Sequence, residues 1–132
     1  KDGTIDIIAT DHAPHDITDK QVEYQNACFG IVGLETALPL TLKLVDEKIL
    51  SLSDAIRKLT ATPAQIFNLD AGNLSIGKGA DVLIFNPDIK YSIDVSKFHS
   101  KSKNSPFDGW KVKGKVFHTL ARGKIVYTDP DL

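Results

Sequence analysis

Residues 4–10, TIDIIAT, are short, β-branched and apolar on both parities, and they run straight into Asp11-His12-Ala13-Pro14-His15. A segment of that pattern has to be covered on both faces, as a strand of a parallel sheet is. Pro14 cannot donate to a strand ladder, so the strand gives way to loop close to Asp11. If the strand is parallel, Asp11 stands at its C-terminal end, where an α/β barrel places its catalytic residues. An aspartate there can bind a divalent metal through oxygen or accept a proton. It can equally do no more than cap the turn, with His12 and His15 as surface loop residues. The two histidines are three positions apart, so in a turning loop they need not point the same way.

The next segments supply the helices that such a strand needs. Residues 16–29 are polar and irregular, a loop long enough to carry function, and Gly30 and Gly33 punctuate its end. The spacing of Leu34, Leu38, Leu42 and Val45 predicts a helix from about Gly33 to Val45, with Pro39 bending it or confined to its first turns. Those leucines read as helix core. Ser53 is placed to cap a second helix with Ala55, Ile56 and Leu59 on its apolar face. Thr62-Pro63 reads as a cap followed by proline at the first helical position, opening a helix over 64–69 that Gly72 closes.

Beyond Gly72 the period changes from helical to alternating. Gly77-Lys78-Gly79 is a turn, and Ala80 to Phe85 is a strand ended by Asn86-Pro87. Residues 97–110 form a polar loop. Val112, residues 116–120 and residues 125–127 read as strands, with Gly123-Lys124 as a hairpin turn. The expected division is therefore 1–72, α/β in character, and 73–132, a small β unit.

Composition narrows the function class. With 132 residues, 42% hydrophobic, 25% charged and a net charge of -1, the chain has room for one domain or part of a larger one. Near-neutral charge gives no reason to expect nucleic acid or an acidic membrane surface as partner. No apolar run approaches the roughly 20 residues that span a bilayer, and the start carries no signal-peptide pattern. The single cysteine, Cys28, excludes an intrachain disulfide framework and fits a reducing compartment, so the expected location is the cytoplasm. There is no methionine, and the first apolar strand begins within five residues. Processing would explain this, but a fragment is the preferred reading. His99 and His118 read as solvated or packed, Trp110 as packing beside a loop, Lys101 and Lys103 as a solvated face, and Cys28 as filler.

One carboxylate with one or two histidines is too few for a catalytic zinc site, so the opening stretch needs residues from elsewhere. The stretches Thr10-Asp11-His12-Ala13-Pro14-His15 and Gly30-Ile31-Val32-Gly33-Leu34-Glu35-Thr36-Ala37-Leu38-Pro39-Leu40 closely resemble the dihydroorotases of the amidohydrolase superfamily. The stretches 62–67, 77–81, 101–107, 114–116 and 122–127 agree. The hexapeptide at 10–15 is fairly specific; Gly79-Ala80-Asp81 is shared by many amidohydrolases.

The resemblance covers essentially the whole chain and corresponds to the C-terminal third of the family's protein. It implies the last strand and helices of a (β/α)₈ barrel over 1–72 and part of a small β-sandwich over 73–132. By the same resemblance, Asp11 ligates zinc, deprotonates the attacking water and passes the proton to the leaving amide nitrogen. His15 binds the substrate carboxylate, and Phe29 and Gly30 belong to a loop whose backbone contacts the substrate. The family's other metal ligands, a His-x-His pair, a carboxylate or modified lysine and two further histidines, all fall upstream of Lys1. The chain is therefore expected to be inactive alone. Implied partners are the N-terminal part of the barrel, a small-molecule substrate, and a second copy or an aspartate transcarbamoylase. The implied reaction is the reversible cyclisation of N-carbamoyl-L-aspartate to L-dihydroorotate in pyrimidine synthesis. Competing readings are a hydantoinase or allantoinase, whose substrates lack the carboxylate that His15 would hold, and a non-catalytic dihydroorotase-like subunit. The retained Asp11 and His15 argue against the last.

Overall fold

The computed structural model describes residues 2–132. Its elements are α1 (Ala37–Asp46), α2 (Leu52–Leu59), α3 (Ala61–Ile66), β1 (Val82–Ser92), a 3₁₀ turn at Val95–Lys97, β2 (Lys111–Ala121) and β3 (Lys124–Thr128). Helices thus precede a sheet, in the order that the change of period implied.

Residues 4–10 form no strand ladder, which corrects the expectation of a strand there. A strand needs hydrogen-bonded neighbours. Among the described residues the backbone contact to this segment is a single bond, from the Ile8 amide to the Lys58 carbonyl at 3.1 Å. Just beyond it, His12 and Ile31 make an isolated parallel bridge.

Helix α1 starts at Ala37 rather than Gly33. Leu34 accordingly stands before the helix and is 63% exposed, which corrects its assignment to the core, whereas Leu42 is buried. Pro39 falls in the first turn of α1, where its missing N–H costs no intrahelical bond. The α2 cap is Ser51, not Ser53. The Ser51 hydroxyl accepts from the Asp54 amide at 3.0 Å and donates to the Asp54 carboxylate at 2.6 Å. An acid three residues after a serine is the signature that Ser53 lacks. Helix α3 begins a turn earlier than expected, after Thr60 breaks from α2 at φ -131°, so Pro63 is its third residue and not its first.

The three strands form one antiparallel sheet in the order β1-β2-β3. β1 does not stop at Asn86-Pro87. Its register with β2 shifts between Asn86 and Lys90, so the residues between them, Pro87 included, bulge out and the ladder resumes. Opposite the bulge, Gly114 lies at φ +97°, and a Cβ built on it would sit 2.2 Å from Leu42 Cδ1. Glycine here lets α1 lie against β2, and it joins into one strand the two pieces expected from the sequence. The hairpin turn is Arg122-Gly123, not Gly123-Lys124. Both residues have positive φ, 49° and 76°, as a tight two-residue hairpin of this hand requires.

Val32, Leu42, Ala55, Ala64, Ile93 and Val112 make the buried apolar set. The sheet is a single layer among the described residues. No helix in them is long and apolar enough to cross a membrane.

Candidate active-site loop

Asp11 is exposed and has φ +46°, a left-handed conformation that aspartate tolerates better than most residues. The turn it makes divides the two histidines. His12 Nδ1 accepts the Gly33 amide at 3.1 Å, so in this bond the ring carries its proton on Nε2. The Ala13 amide donates to the Ile31 carbonyl at 2.9 Å, which ties the same turn to the segment leading into α1. His15 faces the other way, towards Gly30: a Cβ on Gly30 would meet Ala13 Cβ at 2.5 Å and His15 Nε2 at 3.8 Å. Gly30 is at φ +101°, so position 30 excludes a side chain both by conformation and by space.

Of the residues singled out from the sequence, His15 and Gly30 are therefore neighbours across the loop. Phe29 precedes Gly30 and is 92% exposed, turned out from the chain's own core. Asp11 lies on the preceding turn. It belongs to no group of three His, Cys, Asp or Glu side chains able to converge on an ion among the described residues. A zinc centre needs three or four protein ligands, so these residues alone do not fit one around Asp11.

Two residues that sequence reasoning gave no role hold the loop in place. The Lys20 ammonium donates to the Gly30 carbonyl at 2.6 Å and also to the Cys28 carbonyl, on either side of Phe29. Asn104 Nδ2 donates to the same Gly30 carbonyl at 3.0 Å, and the Asn104 carbonyl accepts the Val32 amide at 3.0 Å. The signal for Asn104 was the long polar loop it sits in. Lys20 had none beyond its charge. The same C-terminal loop is docked by Glu35, whose carboxylate accepts the amides of His99 and Ser100 at 3.0 and 3.2 Å.

The loop between the two ends is made of local turns. Asp16 Oδ1 accepts both the amide and the hydroxyl of Thr18, at 2.9 and 2.8 Å, and these bonds hold its carboxyl below the usual carboxylate range. The Gln21 amide donates to the Ile17 carbonyl at 2.9 Å, and the Cys28 amide to the Asp19 carbonyl at 3.2 Å, so the loop folds back on itself.

The chain as a whole is similar to known proteins. The model of the amidohydrolase family matches residues 1–126. Among curated relatives, a dihydroorotase of Syntrophus aciditrophicus is 50% identical over 129 residues, which is 98% of this chain and 30% of the relative. A dihydroorotase of Anaplasma phagocytophilum is 53% identical over 127 residues, 96% of this chain and 28% of the relative. Among solved structures, an L-hydantoinase (dihydropyrimidinase) from Arthrobacter aurescens superposes with a TM-score of 0.85 at 36% identity, covering 93% of this chain and 29% of that one. A D-hydantoinase from a Bacillus sp. AR9 gives 0.87 at 26% identity, covering 98% and 30%. The chain thus spans about 30% of the length of the relatives it matches. With the family pattern running from the first residue into the last strand, the chain belongs to the amidohydrolase family.

Proposed function

We propose that this chain is part of a dihydroorotase. The carrying observation is the loop at 10–30, where His15 lies beside Gly30 and Asp11 one turn earlier, in a chain about half identical to dihydroorotases. Residues 1–72 belong to the barrel and 73–132 to a second, smaller β domain. In hydrolysis the water oxygen bonds to the ring carbonyl carbon and the ring C–N bond breaks. Asp11 takes a proton from the water and delivers it to the leaving nitrogen, as a carboxylate positioned for general acid–base work can. The new carboxyl releases its own proton to solvent. His15 holds the substrate carboxylate, and the backbone at Phe29 and Gly30 lies against the substrate, where absence of a side chain at 30 allows close approach. The metal would be zinc, one or two ions, held with Asp11 as one ligand and the others supplied from upstream of this chain. Further assembly is with a second copy or an aspartate transcarbamoylase, in the cytoplasm.

The hydantoinase superpositions favour a second reading, a cyclic amidohydrolase whose substrate lacks the carboxylate. His15→Ala in the whole protein separates the two. A charge-assisted hydrogen bond of ~1.5–3 kcal/mol lost at His15 corresponds to a roughly ten- to hundredfold rise in KM. The rise is expected for dihydroorotate and not for a ring analogue without the carboxylate. Equal losses on both substrates would return the assignment to the hydantoinase type.

A further inference from the structure

The loop that carries His15 brings a second set of metal-binding atoms together. A ring nitrogen of His15, a carboxylate oxygen of Asp19 and the Cys28 sulfur all lie within 4.8 Å of one another. None of the three side chains has a hydrogen-bond partner within the described residues, although the backbone around them is pinned. The Cys28 amide bonds the Asp19 carbonyl at 3.2 Å, the Lys20 amide bonds the Ile17 carbonyl at 3.1 Å, and Lys20 Nζ is drawn back onto the carbonyls of Cys28 and Gly30.

We propose that His15, Asp19 and Cys28 form a cation site selective for thiophilic divalent ions of the zinc and cadmium class. An imidazole, a carboxylate and a thiolate are the three ligand types that zinc accepts, at about 2.0–2.3 Å each, and a thiolate disfavours magnesium and calcium. Ligand atoms of a tetrahedral centre with such bonds stand about 3.3–3.8 Å apart, so closure needs side-chain rotations of about 1 Å and no movement of the pinned backbone. One thiolate and one carboxylate neutralise a divalent ion. The neighbouring Lys20 ammonium is turned onto the carbonyls of Cys28 and Gly30, which solvate it but leave its charge in place. Within this chain Asp19 and Cys28 are exposed and His15 is half-buried.

The consequence rests on the dihydroorotase reading. A cation on His15 withdraws it from the substrate carboxylate, so the site is inhibitory, and its occupancy competes with substrate.

The test uses the full-length protein, with cadmium as the probe and magnesium as the hard-ion control. Cadmium should produce a thiolate-to-metal charge-transfer band that titrates to one ion per chain, is absent in Cys28→Ser and is not produced by magnesium. Asp19→Asn should weaken cadmium binding about tenfold or more, because it removes a ligand and half the neutralising charge. Alkylation of Cys28 by iodoacetamide should be slowed by cadmium in the parent and much less in Asp19→Asn. Unchanged affinity in both Asp19→Asn and His15→Gln would overturn the site and leave a cysteine acting alone. Turnover of dihydroorotate should be inhibited competitively by cadmium, with inhibition relieved in Cys28→Ser. Full turnover by cadmium-loaded protein would overturn the inhibitory role. Absence of turnover before cadmium is added would instead count against the dihydroorotase reading, since the spectral and alkylation readouts do not depend on catalysis.

Discussion

From Val82 to Thr128 the backbone supplies its own partners: β1 pairs with β2 from Val82–Leu120 to Ser92–Lys111, and β2 with β3 from His118–Thr128 to Ala121–Lys124. From Thr4 to Gly33 it does not. There one isolated bridge and a handful of turn bonds are supplemented by side chains: Lys20 and Asn104 on the Gly30 carbonyl, His12 on the Gly33 amide. The sheet is held by a repeating ladder, so no single polar side chain carries it. The loop is held by a few named donors and acceptors, and these are the residues nearest the proposed chemistry. Damage in the loop should therefore appear as loss of function with the fold intact, and damage in the sheet as loss of stability.

Asp11→Asn makes the strongest demand on that contrast. Asparagine tolerates the left-handed φ and keeps the side-chain shape, but it cannot accept the proton. In the whole protein kcat should fall by about 10²–10⁴-fold, with the thermal midpoint little changed. A collapse in stability would mean that Asp11 is structural and that the division fails.

Next in size is the contact between α1 and β2. Gly114→Ala places a methyl 2.2 Å from Leu42 Cδ1 at a positive φ, and should cost about 1–3 kcal/mol in a denaturant titration, with KM unchanged. The double variant with Leu42→Ala sharpens the point, because removing the isobutyl group makes room for the new methyl. The double variant should then lose less than the sum of the two single losses. Strict additivity would show that φ strain, not the leucine, sets the cost.

Lys20→Ala should be smaller still. It releases the carbonyls that flank Phe29, and loss of about 1 kcal/mol of loop ordering corresponds to a roughly fivefold rise in KM. Lys20→Arg should restore part of it, and the melting temperature should not move. A fall in melting temperature without a change in KM would place Lys20 with the scaffold.

The smallest effect belongs to the far end of the sheet. A hydrogen bond from Lys115 lowers the Asp131 carboxyl below its ordinary value, while bonds to Asp129 and Asp131 raise Lys115. For the depressed carboxyl, stability is fully present above its unfolded pKa of about 3.9 and is lost as pH falls through the lower folded value. For the raised ammonium, stability is present below about pH 10.4 and is lost as pH rises through the higher folded value. The pair is solvent-screened, so Asp131→Asn should leave stability unchanged near neutrality and only slightly flatten the acid limb of a pH–melting curve. A sizeable change at neutral pH would show that this contact does more than a surface pair.

The order of helices before strands was legible in the chain because period is local: residues spaced three and four apart declare a helix, and alternation declares a strand. The acid and histidines after an apolar segment were legible for the same reason, as residue types at a fixed spacing. Element boundaries were less so. Ser51, not Ser53, caps α2, because what matters is the acid three residues on. β1 passes Asn86-Pro87 because Gly114, distant in sequence, lets the partner strand accommodate a bulge. Residues 4–10 have the composition of a strand, yet a strand exists only through neighbours, and the described residues give it one backbone bond. The clamp on Gly30 lay furthest from view: Lys20 is 10 residues away and Asn104 is 74, and neither separation corresponds to a period of helix or sheet. Propensity and pattern are written along the chain, whereas which carbonyl a lysine or an asparagine can reach is settled only when packing brings distant segments together.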